Sequence, residues 1–184
     1  MGTIKTTNIE PIADNGTVTL GSSGDTFALA SGVTQTIAVN TPAFEAYASS
    51  SQSGLSDAVW TKLTIDSELF DTDGNFASSR FTPTTAGKYF VYLMLRMWSE
   101  TNYKVNALNV SMYKNGSSYR TTNTTVNPSS DIMNEHTATV SAIIDFNGST
   151  DYVEGYTRVN VTSGTGAVNI TSATGGFGAY KIIE

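Results

Sequence analysis

The sequence predicts an all-β fold with very little helix, and three observations support this prediction. Only 14% of the 184 residues are charged, and the polar remainder is rich in Thr, Ser, Asn and Gly, which favour strands and turns over helices. Apolar and polar residues alternate in short runs, as they do on strands with one buried face. Gly and Asn separate these runs, with Asn-Gly pairs at residues 115–116 and 147–148 that are typical of tight hairpins.

The first 40 residues differ in character from the rest. They contain short alternating pieces at residues 17–20 and 26–29, separated by Gly and Ser. Two or three short strands are predicted there, and so short a segment buries too little apolar surface to fold alone. We interpret residues 1–40 as an attachment arm that packs on a partner, on sister chains or on the main domain. A solvated, flexible leader is the alternative.

Residues 41–184 are predicted to form a single domain of eight to ten short strands. Such strands with Gly or Asn turns indicate a sandwich or jelly roll. The polar stretch at residues 121–134 is predicted to be a long exposed loop. The predicted strands lie at residues 44–48, 59–65, 87–98, 106–113, 137–146, 152–161, 167–172 and 177–183.

The segment at residues 89–98 is predicted to be a strand that is apolar on both faces, interrupted only by Arg96. One face fills the core, and the other must be covered by a further layer of protein. In an antiparallel fold without helices that layer is most simply another copy of the chain, so these residues are predicted to lie in the core or at a subunit interface. The two sets are Tyr89, Val91, Leu93, Leu95 and Met97 on one face, and Phe90, Tyr92, Met94 and Trp98 on the other.

The composition argues against several classes of partner. The net charge is −6 and the ten Lys and Arg residues are scattered, whereas nucleic-acid binding needs basic clusters. No apolar run approaches about 18 residues, so membrane insertion is not expected. The amino-terminal residues lack the apolar stretch of a secretion signal. Cysteine is absent, so disulfides and thiolate metal sites are not expected.

Enzymatic activity is not expected, and no catalytic residue is assigned. The one histidine, His136, lies at the edge of the polar loop, where a lone His is usually an ordinary surface residue. The chain therefore lacks the Cys and His residues that nucleophilic catalysis and zinc-dependent hydrolysis usually require. Paired carboxylates for glycoside cleavage could be drawn from Asp145, Asp151 and Glu154, but the sequence does not give the distances between them.

The central segment also resembles a known family. Phe81, Gly87 and Tyr89 are spaced as in a motif of Phe, five residues, Gly, any residue and Tyr, with Val91 and Leu93 at positions where that motif has aromatics. The motif is that of the C1q-like globular heads of complement and related proteins, whose fold is shared with tumour necrosis factor. The resemblance implies a ten-stranded antiparallel jelly roll that forms a homotrimer. It also implies that the domain is a binding module and not an enzyme.

The downstream elements follow the same family order over residues 42–184. Residues 112–116 resemble the family's hairpin, residues 142–146 with 151–153 resemble its late strand pair, and residues 176–180 resemble its closing strand. Some C1q-like trimers hold calcium near their axis. That resemblance implies candidate calcium ligands at Asp66, Glu68, Asp71 and Asp73.

The pattern Asp71, Asp73 and Asn75 also resembles the start of an EF-hand calcium loop. The glycine of that pattern comes too early, and Thr82 stands at the twelfth position where the loop needs a Glu. A tight turn is the preferred interpretation, because Asp, Gly and Asn tolerate its backbone angles. No cofactor is therefore expected, with calcium as the open alternative.

The arm resembles, in style, the short leader segments on structural proteins of tailed bacteriophages, especially marine ones. This resemblance implies a non-enzymatic virion structural protein, either a tail fibre or a capsid fibre or decoration protein, on the virion surface. Residues 1–40 would bind other capsid or tail proteins, and the knob would serve adhesion to the host surface. The alternative is a free carbohydrate-binding, lectin-like module. A polysaccharide-degrading tail enzyme is disfavoured because such enzymes usually need a longer, groove-forming scaffold.

Exposed aromatic rings are the natural candidates for stacking on a host glycan. Tyr103 and Tyr119 lie in polar surroundings and are the predicted ligand-binding residues. Trp60 and Trp98 lie inside apolar runs, so they are predicted to belong to the core or to an interface.

Overall fold

The structure is a computed structural model that describes residues 40–101, 104–125 and 133–183. Across these residues the fold is all-β and antiparallel, with thirteen strands and no helix. The all-β prediction is thus confirmed. The strands are β1 Ala43–Tyr47, β2 Gln52–Leu55, β3 Thr61–Lys62, β4 Ser67–Asp71, β5 Phe76–Ala77, β6 Arg80–Phe81, β7 Ala86–Ser99, β8 Val105–Lys114, β9 Ser117–Thr125, β10 Glu135–Asn147, β11 Val153–Val161, β12 Gly166–Asn169 and β13 Gly176–Ile183.

The first sheet, sheet A, is built around the long strand β7. On one side β7 pairs with β10 along its whole length, from Ala86 opposite Asn147 to Trp98 opposite Glu135. On the other side β13 and β12 lie end to end along β7. β1 and β4 extend the sheet beyond β13, and β2 extends it beyond β12. A strand so fully paired presents its side chains only to the two faces of the sheet.

The second sheet, sheet B, is built around β11. β8 pairs along one side of β11 and is followed by β9 at the edge. The short strands β6 and β3 pair with the other side of β11, and β5 pairs with β6. Alternate β11 side chains are buried between the sheets, and the others face outward.

The core lies between the two sheets and is rich in aromatic rings. Phe44 stacks on Phe81 with 4.4 Å between ring centroids and on Phe76 with 4.8 Å, and it meets Phe177 edge-on. Burial of each such ring contributes about 1.5–3 kcal/mol. Tyr89 is also fully buried, and its hydroxyl donates to the carbonyl oxygen of Thr85 at 2.8 Å.

The hairpin predicted at residues 115–116 joins β8 to β9. Asn115 and Gly116 have φ values of 52° and 77°, the left-handed pair that such a turn needs. At the other predicted turn Gly148 has φ 69°, and Asn147 Oδ1 accepts hydrogen bonds from the backbone N–H groups of the following residues. Both turns therefore follow from local sequence.

Several details of the predicted fold are wrong. Residues 121–125, predicted to begin a long loop, belong to β9, where they pair with β8. The prediction failed because this Thr-rich edge strand is polar on both faces and shows no alternation of apolar and polar residues. The strand predicted at residues 59–65 shortens to β3, and β10 begins at Glu135, so that His136, expected at the edge of the loop, is its second residue. The implied count of ten strands becomes thirteen in the described residues, since β3, β5 and β6 are separate two-residue pieces.

The predicted attachment arm lies almost wholly outside the described residues, which begin at Asn40, and it stays a prediction. The same holds for residues 126–132 of the predicted loop. In the part of the chain that the structure describes, no helix is long and apolar enough to cross a membrane.

Candidate functional site

The outward side chains of β7 form the centre of an apolar surface on sheet A. Phe90 has Ile143 of β10 opposite it on one side and Tyr180 of β13 on the other. Ile143 is 58% exposed, Tyr180 42% and Met94 38%. We call Phe90, Tyr92, Met94, Ile143 and Tyr180 the apolar face. Large side chains on three adjacent strands thus lie uncovered in the single chain.

The rings of the apolar face pack against one another. The ring centroids of Phe90 and Tyr180 are 5.6 Å apart, and those of Phe90 and Tyr92 are 6.3 Å apart. Burial, together with the charge of Glu45 and a hydrogen bond to it, raises the pKa of Tyr92 to about 12. The Tyr92 hydroxyl therefore stays protonated near neutral pH and donates to the Glu45 carboxylate.

Charged pairs border the apolar face at both ends of the β7 and β10 pairing. Lys88 Nζ lies 2.9 Å from Asp145 Oδ2. At the other end Arg96 pairs with Glu135, and its guanidinium lies 5.3 Å from the ring centroid of Trp98. An apolar centre with a polar rim is the usual composition of a protein interface.

The predicted interface or core residues of β7 separate into two groups. Phe90 and Tyr92 face outward and are half-buried. The inward set is fully buried between the sheets and comprises Tyr89, Val91, Leu93, Leu95 and Met97. Any subunit contact made by this strand must therefore use its outward side chains.

The outer face of sheet B has a different chemistry, centred on the buried carboxylate of Glu154. Glu154 is 3% exposed, and its Oε1 accepts from Lys62 Nζ at 2.7 Å and from Arg80 Nη2 at 2.8 Å. Burial by itself raises the pKa of Glu154, but the hydrogen bonds and charges of Lys62 and Arg80 outweigh it and hold that pKa below its ordinary value. Glu154 is therefore ionised at neutral pH.

Aromatic rings lie next to this ion cluster. Tyr113 stacks on Tyr156 with 3.9 Å between centroids, and Trp60 lies 6.1 Å from Tyr113. The Arg80 guanidinium lies 3.7 Å from the ring centroid of Tyr152. Trp60 is half-buried on this outer face, and Trp98 is half-buried on sheet A.

The candidate calcium ligands lie on β4 and in the turns at its two ends. The Asp66 carboxylate accepts from the backbone N–H and hydroxyl of Ser49, both at 2.7 Å. The Asp71 carboxylate accepts from the backbone N–H groups of Asp73 and Phe76, and Glu68 is exposed on β4. Among the described residues no three His, Asp or Glu side chains are grouped to hold a metal ion. The calcium site stays a prediction without geometric support.

The remaining predicted site residues are dispersed. Tyr119 is exposed, and its hydroxyl donates to the carbonyl oxygen of Ile143 at 3.1 Å, while Tyr103 lies outside the described residues. The three carboxylates considered for glycoside cleavage belong to separate ion pairs. These are Asp145 with Lys88, Asp151 with Lys114, and Glu154 with Lys62 and Arg80.

Sequence reasoning missed Ile143, Tyr180 and the cations around Glu154. Ile143 stands in the outward row of β10, where its neighbours are Ser141 and Asp145. An apolar residue in an otherwise polar row was the available signal for this position. No local pattern joins Lys62 to Glu154, because 92 residues separate them in the chain.

Comparison with solved structures identifies the fold. The globular domain of zebrafish complement 1qA matches with a TM-score of 0.52 and 14% identity, over 78% of this chain and 99% of that one. Eiger TNF from S. frugiperda matches with a TM-score of 0.58 and 9% identity, over 77% and 92%. Murine APRIL at pH 5.0 matches with a TM-score of 0.51 and 9% identity, over 76% and 98%.

No family model and no curated protein matches the chain. At such low identities the structural likeness concerns the fold, and the predicted C1q- and tumour necrosis factor-like jelly roll is confirmed. The threefold assembly and the phage relationship stay predictions.

Proposed function

We propose that this chain is a non-enzymatic homotrimer whose subunits pack through the apolar face. The observation that carries the proposal is the uncovered row of Tyr180, Phe90 and Ile143 across three neighbouring strands of sheet A. Removing such side chains from water stabilises an assembly by about 25 cal/mol per Å² of apolar surface. The charged rim of Lys88, Asp145 and the Arg96 pair then fixes the orientation of the subunits.

Threefold symmetry is the arrangement that the C1q- and tumour necrosis factor-like fold supports. A closed ring lets each subunit cover part of its neighbour's sheet A and leaves no apolar face exposed. The outer face of sheet B is polar and charged, so it suits the solvent-facing side of such a ring.

The biological role we propose is that of a bacteriophage virion structural protein, a tail fibre or a capsid fibre or decoration protein. Residues 1–40 anchor it to the virion, and the jelly-roll knob contacts the host surface. The arm's resemblance to phage leader segments supports this role. Three linked knobs also increase the overall affinity for the host surface, because the second and third weak contacts form at a high effective concentration.

Assembly is tested by sedimentation velocity of the full chain at micromolar concentration. Wild type is expected to sediment as a trimer, and Ile143→Asp as a monomer that keeps its β-sheet circular dichroism spectrum. Val59→Asp is the matched control, because Val59 is 51% exposed and lies on the sheet B side; it should remain trimeric. A monomeric wild type, or a trimeric Ile143→Asp, would overturn the proposal.

The virion role is tested by quantitative mass spectrometry of purified phage particles that encode the chain. A few copies per particle indicate a tail fibre, and scores to hundreds indicate a capsid protein. Particles should lose the protein when residues 1–40 are deleted. Its absence from intact particles would refute the virion role.

The second candidate function is a free carbohydrate-binding module, favoured by the aromatic rings of Trp60, Tyr113 and Tyr156 on sheet B. It predicts saturable glycan binding by a monomer whose residues 1–40 bind no virion protein. Sedimentation and arm-deletion measurements therefore separate the two functions.

A further inference from the structure

The outer face of sheet B brings cations and aromatic rings together from four strands and an adjoining loop. Glu154 of β11 pairs in register with Arg80 of β6, and Tyr156 of β11 with Lys62 of β3. Tyr113 of β8 lies opposite Glu154. We call the following residues the basic aromatic face: Trp60, Lys62, Arg80, Tyr113, Tyr156 and Arg158.

The charge of this surface is opposite to that of the whole chain. Lys62, Arg80 and Arg158 are its cations, and only Glu154 among the residues facing them from β11 is acidic. Asp57, next to Ala58, adds a second carboxylate at the edge of this surface, where it accepts from the backbone N–H of Val161 at 2.8 Å. Two carboxylates do not neutralise three cations, so the surface keeps a positive charge although the chain carries −6 overall. A localised positive surface on an acidic protein favours an anionic ligand.

Two of the arginines have donors left for a ligand. Arg158 donates through Nε to the carbonyl oxygen of Ala58 at 2.9 Å and forms no ion pair within the described residues. Arg80 uses Nε and Nη2 for Glu154, and its side chain is 42% exposed. A guanidinium has five N–H donors, and its planar geometry matches a carboxylate.

The aromatic rings supply the apolar part of the surface. The Tyr113 ring stacks on Tyr156 on one side, and the Trp60 ring lies 6.1 Å from Tyr113 between ring centroids. All three are half-buried and stand on the solvent side of sheet B. Ring faces next to a few polar donors are the usual composition of a small-ligand site.

An unpaired acceptor lies further along the same strand. Asn160 follows Arg158 in the outward row of β11, and its buried Oδ1 has no hydrogen-bond partner among the described residues. An unmet buried acceptor costs free energy.

We propose that the basic aromatic face binds a carboxylated glycan, such as a polymer of uronic acids. Arg80 stands opposite Glu154, four residues of β11 from Arg158, or about 13 Å of extended strand. The two arginines therefore bind carboxylates of different sugar units, and the rings of Trp60 and Tyr113 stack on the sugars. The inference rests on the proposed function in one respect, because it names the host-surface ligand of the trimeric knob. Three sites facing outward from a trimer would bind a polymer with increased avidity.

The test is isothermal titration calorimetry of the full chain with tetragalacturonate, and with cellotetraose as the neutral ligand of equal length. Wild type should bind tetragalacturonate at least tenfold more tightly than cellotetraose, and more weakly as salt is raised. Arg158→Gln and Trp60→Ala should each weaken binding by about tenfold, the value of one charge-assisted hydrogen bond or ring contact. Arg120→Gln, which removes an exposed cation of β9 outside the basic aromatic face, should change binding less than twofold.

The outcomes separate this inference from the proposed assembly. Arg158→Gln and Trp60→Ala should sediment as wild type does, and Ile143→Asp should keep its affinity for the tetrasaccharide while binding the polymer more weakly. No wild-type binding at millimolar tetragalacturonate, unchanged binding by both variants, or equal binding of single-stranded DNA would each overturn the inference. None of these results would alter the sedimentation of the trimer.

Discussion

A Cβ atom built on Gly178 would lie 2.5 Å from the hydroxyl oxygen of Tyr92 on the neighbouring strand. The two residues are in register between β13 and β7. The absence of a side chain at Gly178 therefore creates the space in which the Tyr92 ring lies flat across sheet A and reaches Glu45. A single glycine thus shapes the centre of the apolar face.

Gly178→Ala is expected to lift the Tyr92 ring off β13 and to weaken self-association by about tenfold. The fold should survive, because the atoms in the way belong to the far end of a side chain rather than to the backbone. The substitution changes the shape of the apolar face and leaves its charge unaltered. Sedimentation velocity across a concentration series measures the effect. In a Tyr92→Ala background the same substitution should add nothing, and an additive loss would contradict this account.

Stability is expected to fall as the pH drops below the ordinary carboxyl range. Hydrogen bonds from the Ser49 side chain and backbone lower the pKa of Asp66 from 3.8, and hydrogen bonds led by that of Asn115 lower the pKa of Asp151. For Glu154 burial opposes the shift, but Lys62 and Arg80 lower its pKa from 4.5. Each group then stabilises the fold above its unfolded pKa, and this contribution is lost as pH falls through its folded pKa. Thermal melts from pH 7 to pH 3 check this direction.

Glu154→Gln is expected to lower the free energy of unfolding at pH 7 by about 1–3 kcal/mol, since two cations lose their buried partner. The variant should also lose stability less steeply in acid than wild type. Glu135→Gln, which removes an exposed partner of Arg96, should cost less than about 1 kcal/mol. Urea denaturation compares the two variants, and equal costs would show that the Glu154 cluster contributes no more than a surface pair.

Two turn glycines provide a matched comparison of backbone strain and steric clash. Gly116 and Gly148 have φ values of 77° and 69°, but only at Gly148 would a Cβ atom meet backbone, at 2.3 Å from the nitrogen of Ala86. Gly116→Ala should cost about 1–2 kcal/mol from the left-handed conformation. Gly148→Ala should cost a further 1–3 kcal/mol or so, because the turn must shift away from Ala86. Urea denaturation that ranks them in the opposite order would contradict this reasoning.

Phe44→Ala is expected to lower the free energy of unfolding by about 3–5 kcal/mol. Phe44 is fully buried and contacts the rings of Phe76, Phe81 and Phe177, so the substitution leaves a cavity between the sheets. Phe70→Ala, at an exposed position of β4, should cost less than about 1 kcal/mol. Chemical denaturation at one fixed protein concentration measures both. Similar costs for the two variants would show that the ring cluster does not dominate the core.

Local patterns predicted much of the fold because strand alternation and turn chemistry are written in adjacent residues. The spacing of Phe81, Gly87 and Tyr89 led to the C1q- and tumour necrosis factor-like fold, and Asn115 with Gly116 led to the hairpin. β9 was missed because its polar residues do not alternate with apolar ones, and pairing with β8 alone makes it a strand. In such a segment the intrinsic strand propensity of the residues decides the conformation less than hydrogen-bonded pairing with a neighbouring strand does.

By itself the sequence determined that β7 has two apolar faces and that few helices form, because both follow from the order of side chains along one strand. Only the tertiary structure decided that Leu93 points into the core while Tyr92 meets Glu45 on the outside. It alone brought Lys62 and Arg80 to Glu154 across 92 and 74 residues of chain. The physical reason is that alternation has a period of two residues, whereas the partner of each side chain depends on strand register, which distant segments set together.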